Sequence, residues 1–166
     1  MAPDRHGTAR VEFPNELEIV LTRDFDAPIQ LVFDVLTKPE HVTRWFAPYD
    51  EKVTVCEIDL RVGGDYHIVM VTSDGTECSF RGTYLEIEPP ARTVETWIFE
   101  GWPGVEAVES TELRESGGVT TLTQRLAFPD KAARAHMDRT DGYEKSFDNV
   151  EDHLRALLDT KGTASA

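Results

Sequence analysis

Apolar and polar positions alternate with a period of two from Leu17 onward: Leu17, Ile19, Leu21 and Phe25 lie in one phase, with Glu16, Glu18, Thr22 and Asp24 between them. That pattern predicts a half-buried strand whose one anomaly is Arg23. Ala27-Pro28 stops the strand and opens a helix, because proline suits the first helical position, and Ile29, Val32, Phe33 and Leu36 follow at helical spacing. A second short helix begins at Pro39, carries Val42, Trp45 and Phe46 on one face, and ends before Pro48, since a residue preceding proline is pushed out of the helical region. From about Val53 to Phe128, β-branched and aromatic runs are punctuated by Gly63-Gly64, Asp74-Gly75, Pro89-Pro90, Gly101-Trp102-Pro103-Gly104 and Gly117-Gly118. Six strands fit between these signals, roughly Val53 to Leu60, Asp65 to Thr72, Glu77 to Ile87, Thr93 to Phe99, Ala107 to Glu115 and Val119 to Phe128. Their short connections predict antiparallel hairpins. After Phe128-Pro129-Asp130 the helical period returns, with Tyr143, Phe147, Val150, Leu154, Leu157 and Leu158 on one face of a long amphipathic helix. Asp141 with Glu144 resembles a capping box that starts its main part after a break at Gly142.

The order is strand, two short helices, six strands, long helix. A seven-stranded antiparallel sheet has one apolar face to cover, and only the last helix is long enough to cover it. The fold class is therefore α+β, a curved sheet gripping its C-terminal helix. Where such a sheet stands off from the helix a cavity forms, which points to ligand binding. Residues 1–14 read as a disordered lead-in, 15–159 as one domain, and 160–166 as a frayed tail.

Charge narrows the partners. The 166 residues hold 17 Lys+Arg against 31 Asp+Glu, a formal net charge of −14 at pH 7. Such a surface repels phosphates and anionic lipid, so neither nucleic acid nor membrane is an expected partner. No stretch approaches the roughly 18 apolar residues of a spanning helix, the N-terminus has no apolar signal core, and the chain is placed in the cytoplasm. Cys56 and Cys78 form no CxxC and read as small buried apolar groups. His6, His41, His67, His136 and His153 form no metal-ligand spacing and are expected mostly at the surface. No GxSxG, GxGxxG or phosphate loop is present, so neither a metal nor an organic cofactor is called for and no catalytic residue is nominated.

Alternation also nominates cavity walls. Tyr66, Ile68 and Met70 share one face, Glu95, Trp97 and Phe99 are in phase, and Ala107, Glu109, Thr111 and Leu113 are in phase on the next strand. Leu122, Gln124 and Leu126 continue that face. The inward phase thus carries carboxylates, and an unpaired buried carboxylate is strongly disfavoured. Arg23 is the obvious cation for Glu95 or Glu109. The alternatives are that these carboxylates orient a polar group of a ligand or act as acid and base. Trp45, Tyr84, Trp97, Tyr143 and Phe147 serve a core or a ligand, whereas Trp102 lies in a glycine-flanked loop and suits the mouth of the cavity. Gly82 marks either close packing or a strand bend.

Specific strings carry a resemblance. Cys56-Glu57-Ile58-Asp59-Leu60-Arg61-Val62-Gly63-Gly64-Asp65-Tyr66, Phe80-Arg81-Gly82-Thr83-Tyr84-Leu85-Glu86-Ile87-Glu88-Pro89-Pro90 and Glu95-Thr96-Trp97 resemble bacterial relatives of the activator of the 90-kDa heat-shock protein ATPase, within the START-like (SRPBCC) superfamily. Phe25-Asp26-Ala27-Pro28, Trp45-Phe46-Ala47-Pro48 and the helix from Gly142-Tyr143 support it, over roughly Leu17 to Leu158. The resemblance implies the helix-grip fold and a family of small-molecule binders, resistance proteins and cyclase-like enzymes, some of them homodimers. Two departures stand out: Gln124 replaces a histidine common in relatives, and Tyr143 replaces a tryptophan. The leading expectation is binding or sequestration of an apolar or aromatic small molecule, with Arg23, Glu95, Glu109, Gln124 and Tyr143 orienting its polar groups. The alternatives are a cyclase- or hydrolase-like enzyme using an inward carboxylate, and a chaperone-interacting ATPase activator.

Overall fold

The alternating segments become strands wherever one face can be buried against a helix. The computed structural model describes residues 2–137 and 139–164, the last four by backbone alone. Its strands are β1 (Arg10–Glu12), β2 (Glu18–Phe25), β3 (Lys52–Ile58), β4 (Asp65–Val71), β5 (Glu77–Glu88), β6 (Arg92–Phe99), β7 (Ala107–Ser116) and β8 (Val119–Ala127). Four helices, α1 (Ile29–Thr37), α2 (Pro39–Trp45), α3 (Lys131–Ala135) and α4 (Asp141–Ala164), complete the described elements. The sheet is antiparallel throughout, in the order β1-β2-β8-β7-β6-β5-β4-β3. After β2 the chain crosses through α1 and α2 to the far edge, then returns as a meander until β8 pairs with β2. No helix among the described residues is long and apolar enough to cross a membrane.

The sheet has eight strands where the sequence pattern predicts seven. The extra one, β1, is three residues long with a single apolar position, Val11 opposite Leu21, too short for alternation to register. It lies inside the segment expected to be a disordered lead-in. That segment is tied down by charge: Arg5 donates to both Asp26 oxygens at 2.8 and 3.1 Å, its N–H donates to Glu151, and Gly7 N–H donates to Asp148. Helix α3 is likewise additional, capped by Asp130, whose side chain accepts from Ala133 N–H at 2.7 Å. The expected capping box of Asp141 with Glu144 does not form. Glu144 N–H donates to the Thr140 carbonyl, and the Thr140 hydroxyl donates to Glu144, so Asp141 is the first helical residue and Gly142 sits in the first turn without a break. Helix α4 continues to Ala164, through most of the expected frayed tail; residues 165–166 lie outside the described residues.

Helix α4 lies across the apolar face of the sheet. Its Phe147, Val150 and Leu154 are buried against Ile19, Leu21 and Phe25 of β2 and Leu122 and Leu126 of β8, with Phe147 edge-on to Phe25 at 6.5 Å. A second, smaller cluster of Val42, Tyr66, Ile68 and Tyr84 forms toward the β4–β5 side. The connection after α2 is fastened over the space between them. Ser146 donates to the Phe46 carbonyl at 2.9 Å, and Asn149 donates to the carbonyls of Trp45 and Ala47, which satisfies acceptors that a helix C-terminus leaves free. His41 and His153, expected at the surface, meet at 2.9 Å between α2 and α4.

Arg23 is the polar anchor of this packing. Its side chain is wholly buried, and its guanidinium donates to Asp148 at 2.9 Å, Glu151 at 2.8 Å and the Asp24 carbonyl at 2.7 Å, lying 5.0 Å from the Phe25 ring centroid. The expected pairing with Glu95 or Glu109 does not occur, because α4 rather than the middle of the sheet lies over this end of β2. Removing one member of a buried pair leaves the others uncompensated, at a cost of about 3–5 kcal/mol. Arg23→Met should therefore lower the stability measured by urea unfolding by about 3 kcal/mol, the lower end because the Arg5 N–H and the Arg155 guanidinium still donate to Glu151 and the Gly7 N–H to Asp148.

Candidate functional site

Between the sheet, α2 and the N-terminal half of α4 lies a cavity of about 320 Å³. Trp45, Tyr66, Ile68, Met70, Tyr84, Glu95, Trp97, Phe99, Trp102, Glu109, Gln124, Tyr143 and Phe147 all line it. Arg23 does not: it is committed to α4 on the β2 side. The cavity also takes Leu36, Val42, Phe46, Pro48, Ile58, Cys78, Phe80, Met137, Arg139, Gly142 and Ser146, which the sequence reading does not nominate. Cys78 and Phe80 share the parity of Tyr84, so continuing that alternation finds them. Phe46, Pro48, Met137 and Arg139 lie outside helices and strands, where no period marks an inward side chain. Cys56 and Cys78 are free and half-buried, less enclosed than the small buried apolar groups expected; burial raises the Cys56 thiol to about 11.

Aromatic rings make most of the wall. Phe80 stacks on Phe99 at 5.0 Å and touches Trp97 at 5.8 Å and Phe46 at 5.3 Å, and Trp102 meets Phe99 edge-on at 5.0 Å. Gly101 lets the loop turn there, since a Cβ on it would lie 2.4 Å from the Phe99 ring. Gly82 has a similar reason to be glycine. A Cβ would lie 1.9 Å from the Thr96 carbonyl oxygen and 2.7 Å from the Tyr66 ring, which crosses over Gly82 so that its hydroxyl donates to that same carbonyl at 2.8 Å. The two sequence readings of Gly82 resolve to close packing.

One wall is acidic. Glu95 of β6 and Glu109 of β7 are direct cross-strand partners, and both side chains face the cavity. Glu95 is buried, and its Oε2 has no hydrogen-bond partner among the described groups; Glu109 accepts from the Tyr143 hydroxyl at 3.1 Å. Gln124 donates to Thr111 at 3.2 Å, while its own Oε1 is buried without a partner. Burial, and then the facing Glu109 charge, push the Glu95 carboxyl well above the usual range. Burial raises Glu109 too, tempered by its hydrogen bonds to Glu95 and Tyr143. No cation contributes to either shift, so the pair holds one proton between them above the pH at which free carboxyls ionise. Burial and the same carboxylates also raise Tyr66, Tyr84 and Tyr143, which stay neutral donors.

Asp4, His6 and Glu151 also converge, but Glu151 is already held by Arg23 on one oxygen and by Arg155 on the other, so this cluster is a knot of ion pairs.

Residues 26–159 match the model of the family described as Activator of Hsp90 ATPase homolog 1-like protein. Among solved structures, a Nitrosomonas europaea protein is 23% identical and superposes with a TM-score of 0.78 over 89% of this chain and 99% of that one. A Rhodobacter sphaeroides protein gives 0.83 at 19% identity, over 90% and 99% of the two chains. A Staphylococcus epidermidis protein solved in solution gives 0.76 at 25% identity, over 89% and 94%. These likenesses show the helix-grip, START-like fold. No curated protein is significantly similar in sequence.

The acid pair makes stability depend on pH in a defined direction. Glu95 keeps its proton in the folded protein above the pH at which it loses it unfolded, near 4.5, so stability falls as pH rises from that value through the raised folded one. Glu95→Gln retains a donor toward Glu109 and has no proton to lose. Urea unfolding at pH 5 and pH 9 should show little difference from wild type at the lower pH and a gain of about 1–3 kcal/mol at the higher, the usual cost of an unsatisfied buried polar group. A variant equally unstable at both pH values would contradict the shared proton.

Proposed function

The chain belongs to the family of Activator of Hsp90 ATPase homolog 1-like proteins, and on that premise we propose that it binds an apolar or aromatic small molecule in the cavity between the sheet and α4. The observation that carries this reading is the pairing of an aromatic wall with one polar corner in a cavity of about 320 Å³. Drug-sized sites share that build: apolar area supplies affinity and a few placed polar groups supply orientation. A two-ring aromatic that loses roughly 250 Å² of apolar surface here gains about 6 kcal/mol, before the entropy of association is subtracted. Trp97 sits at the centre of the wall, against Phe80 and Trp102.

All three tryptophans of the chain, Trp45, Trp97 and Trp102, line the cavity, so tryptophan fluorescence reports on its contents. The neutral dye N-phenyl-1-naphthylamine should bind saturably with one site per chain and quench that emission by energy transfer. Trp97→Ala should weaken dye binding by about tenfold or more, equivalent to about 1.4 kcal/mol, with the far-ultraviolet circular dichroism unchanged. Trp102→Ala, in the half-buried loop, gives the same test if the first variant does not fold. Unsaturable dye binding, or unchanged affinity in both folded variants, would sink the assignment.

A further inference from the structure

We propose that the corner formed by Glu95, Glu109 and Gln124 is a subsite for a positively charged nitrogen, so that the ligand of the cavity is an aromatic amine or amidine bound as its cation. This rests on the cavity-binding reading and adds the chemical class of the ligand. Three observations point the same way. Of the buried polar atoms without partners around this corner, the two that belong to residues lining the main cavity, Glu95 Oε2 and Gln124 Oε1, are acceptors and call for donors there, while Arg92 Nε, a donor, belongs to the adjoining recess alone. The two carboxyls face each other across adjacent strands at the spacing of a direct antiparallel pair, and Glu95 is 7% exposed. The rings of Tyr66 and Tyr84, 5.7 Å apart, and of Trp97 line the same cavity, and aromatic faces attract cations where water is excluded.

The surroundings leave the acid pair's charge standing. From β4 and β5 the titratable neighbours are Tyr66 and Tyr84, and from α4 it is Tyr143, all donors without charge. Arg92 lines the adjoining polar recess beside Glu95 and Glu109; one guanidinium nitrogen reaches Glu86 at 3.4 Å, its Nε is buried without a partner, and its charge does not contribute to the shift of either carboxyl. Arg139, the one cationic side chain lining the main cavity among the described residues, is 84% exposed and held by Asp141 at 3.2 Å. Helices α1 and α2 contribute only uncharged side chains to the recess: Phe33, Leu36, Thr37 and Trp45. Without a cation beside them, the carboxyls share a proton that moderates their repulsion. A cationic ligand replaces that proton: the ammonium keeps its own hydrogens, no covalent bond in the ligand changes, and one proton leaves the carboxyl pair for solvent. The net charge of −14 attracts such ligands from a distance.

Three probes of one shape test this: 1-naphthylmethylamine as the cation, 1-naphthalenemethanol as its neutral counterpart and 1-naphthoate as the anion, each competed against N-phenyl-1-naphthylamine. The amine should bind about tenfold or more tighter than the alcohol, and the naphthoate weakest. Calorimetry in buffers of differing ionisation enthalpy should show up to roughly one proton released per amine bound, with amine affinity rising from about pH 6 to about pH 8 and alcohol affinity flat. Glu95→Gln and Glu109→Gln should bring the amine's advantage over the alcohol, read as the ratio of the two affinities in each variant, below about threefold. The proton count in the wild-type protein needs neither variant to fold. An alcohol that binds as tightly as the amine, or amine binding without proton release, overturns the cationic subsite while the cavity reading stands; failure of the dye and all three probes to bind overturns both.

Discussion

The seating of α4 on β2 is the contact from which the rest of the structure follows. It has an apolar part, Phe147, Val150 and Leu154 against Ile19, Leu21 and Phe25, and an ionic part, Arg23 with Asp148 and Glu151. The apolar part supplies adhesion without direction. The ionic part adds direction, because a buried guanidinium with two carboxylates within 2.9 Å tolerates little sliding of the helix along the strand. The same carboxylates hold Arg5 and Gly7, so the N-terminal segment and β1 are organised by one charge cluster.

Once α4 is anchored near its middle, its first two turns extend over the centre of the sheet. Ser146 and Asn149 then fasten the connection after α2 as a roof, and Trp45 is held from the other side by its indole N–H donating to the Val35 carbonyl at 2.8 Å. The aromatic wall below is spaced by backbone. Gly82 brings β5 within reach of the Tyr66 ring, and Gly101 turns the loop over Phe99. The cavity is therefore a consequence of where the helix is pinned and where side chains are missing, as much as of the rings that line it.

Low dielectric acts in opposite ways at the two polar centres. At Arg23 it strengthens a compensated pair, and the cluster serves packing. At Glu95 and Glu109 it penalises two like charges with no cation beside them, and the result is a retained proton and acceptors without partners. A protein interior tolerates such an arrangement at a cost in stability, and functional sites are where that cost commonly collects.

Local pattern was enough for most of this. Alternation placed Tyr66, Ile68, Met70, Glu95, Trp97, Phe99, Glu109 and Gln124 on one face, because side chains in a strand alternate whatever the strand pairs with, and the helical period placed Tyr143 and Phe147 toward the sheet. The long helix, the antiparallel meander and the fold class were legible for the same reason. What periodicity does not carry is the identity of the element lying over a given face. Arg23 and Glu95 both point inward, yet whether they meet depends on the path of α4, which set Arg23 against Asp148 and Glu151, 125 and 128 residues away, and left the two glutamates facing each other. Phe46, Pro48 and Arg139 joined the cavity from irregular segments, and the three-residue β1 formed because distant carboxylates held its approach. Sequence determined which faces were apolar and which charges were inside; only the tertiary structure decided which of those charges became partners, because pairing depends on distances that no local period encodes.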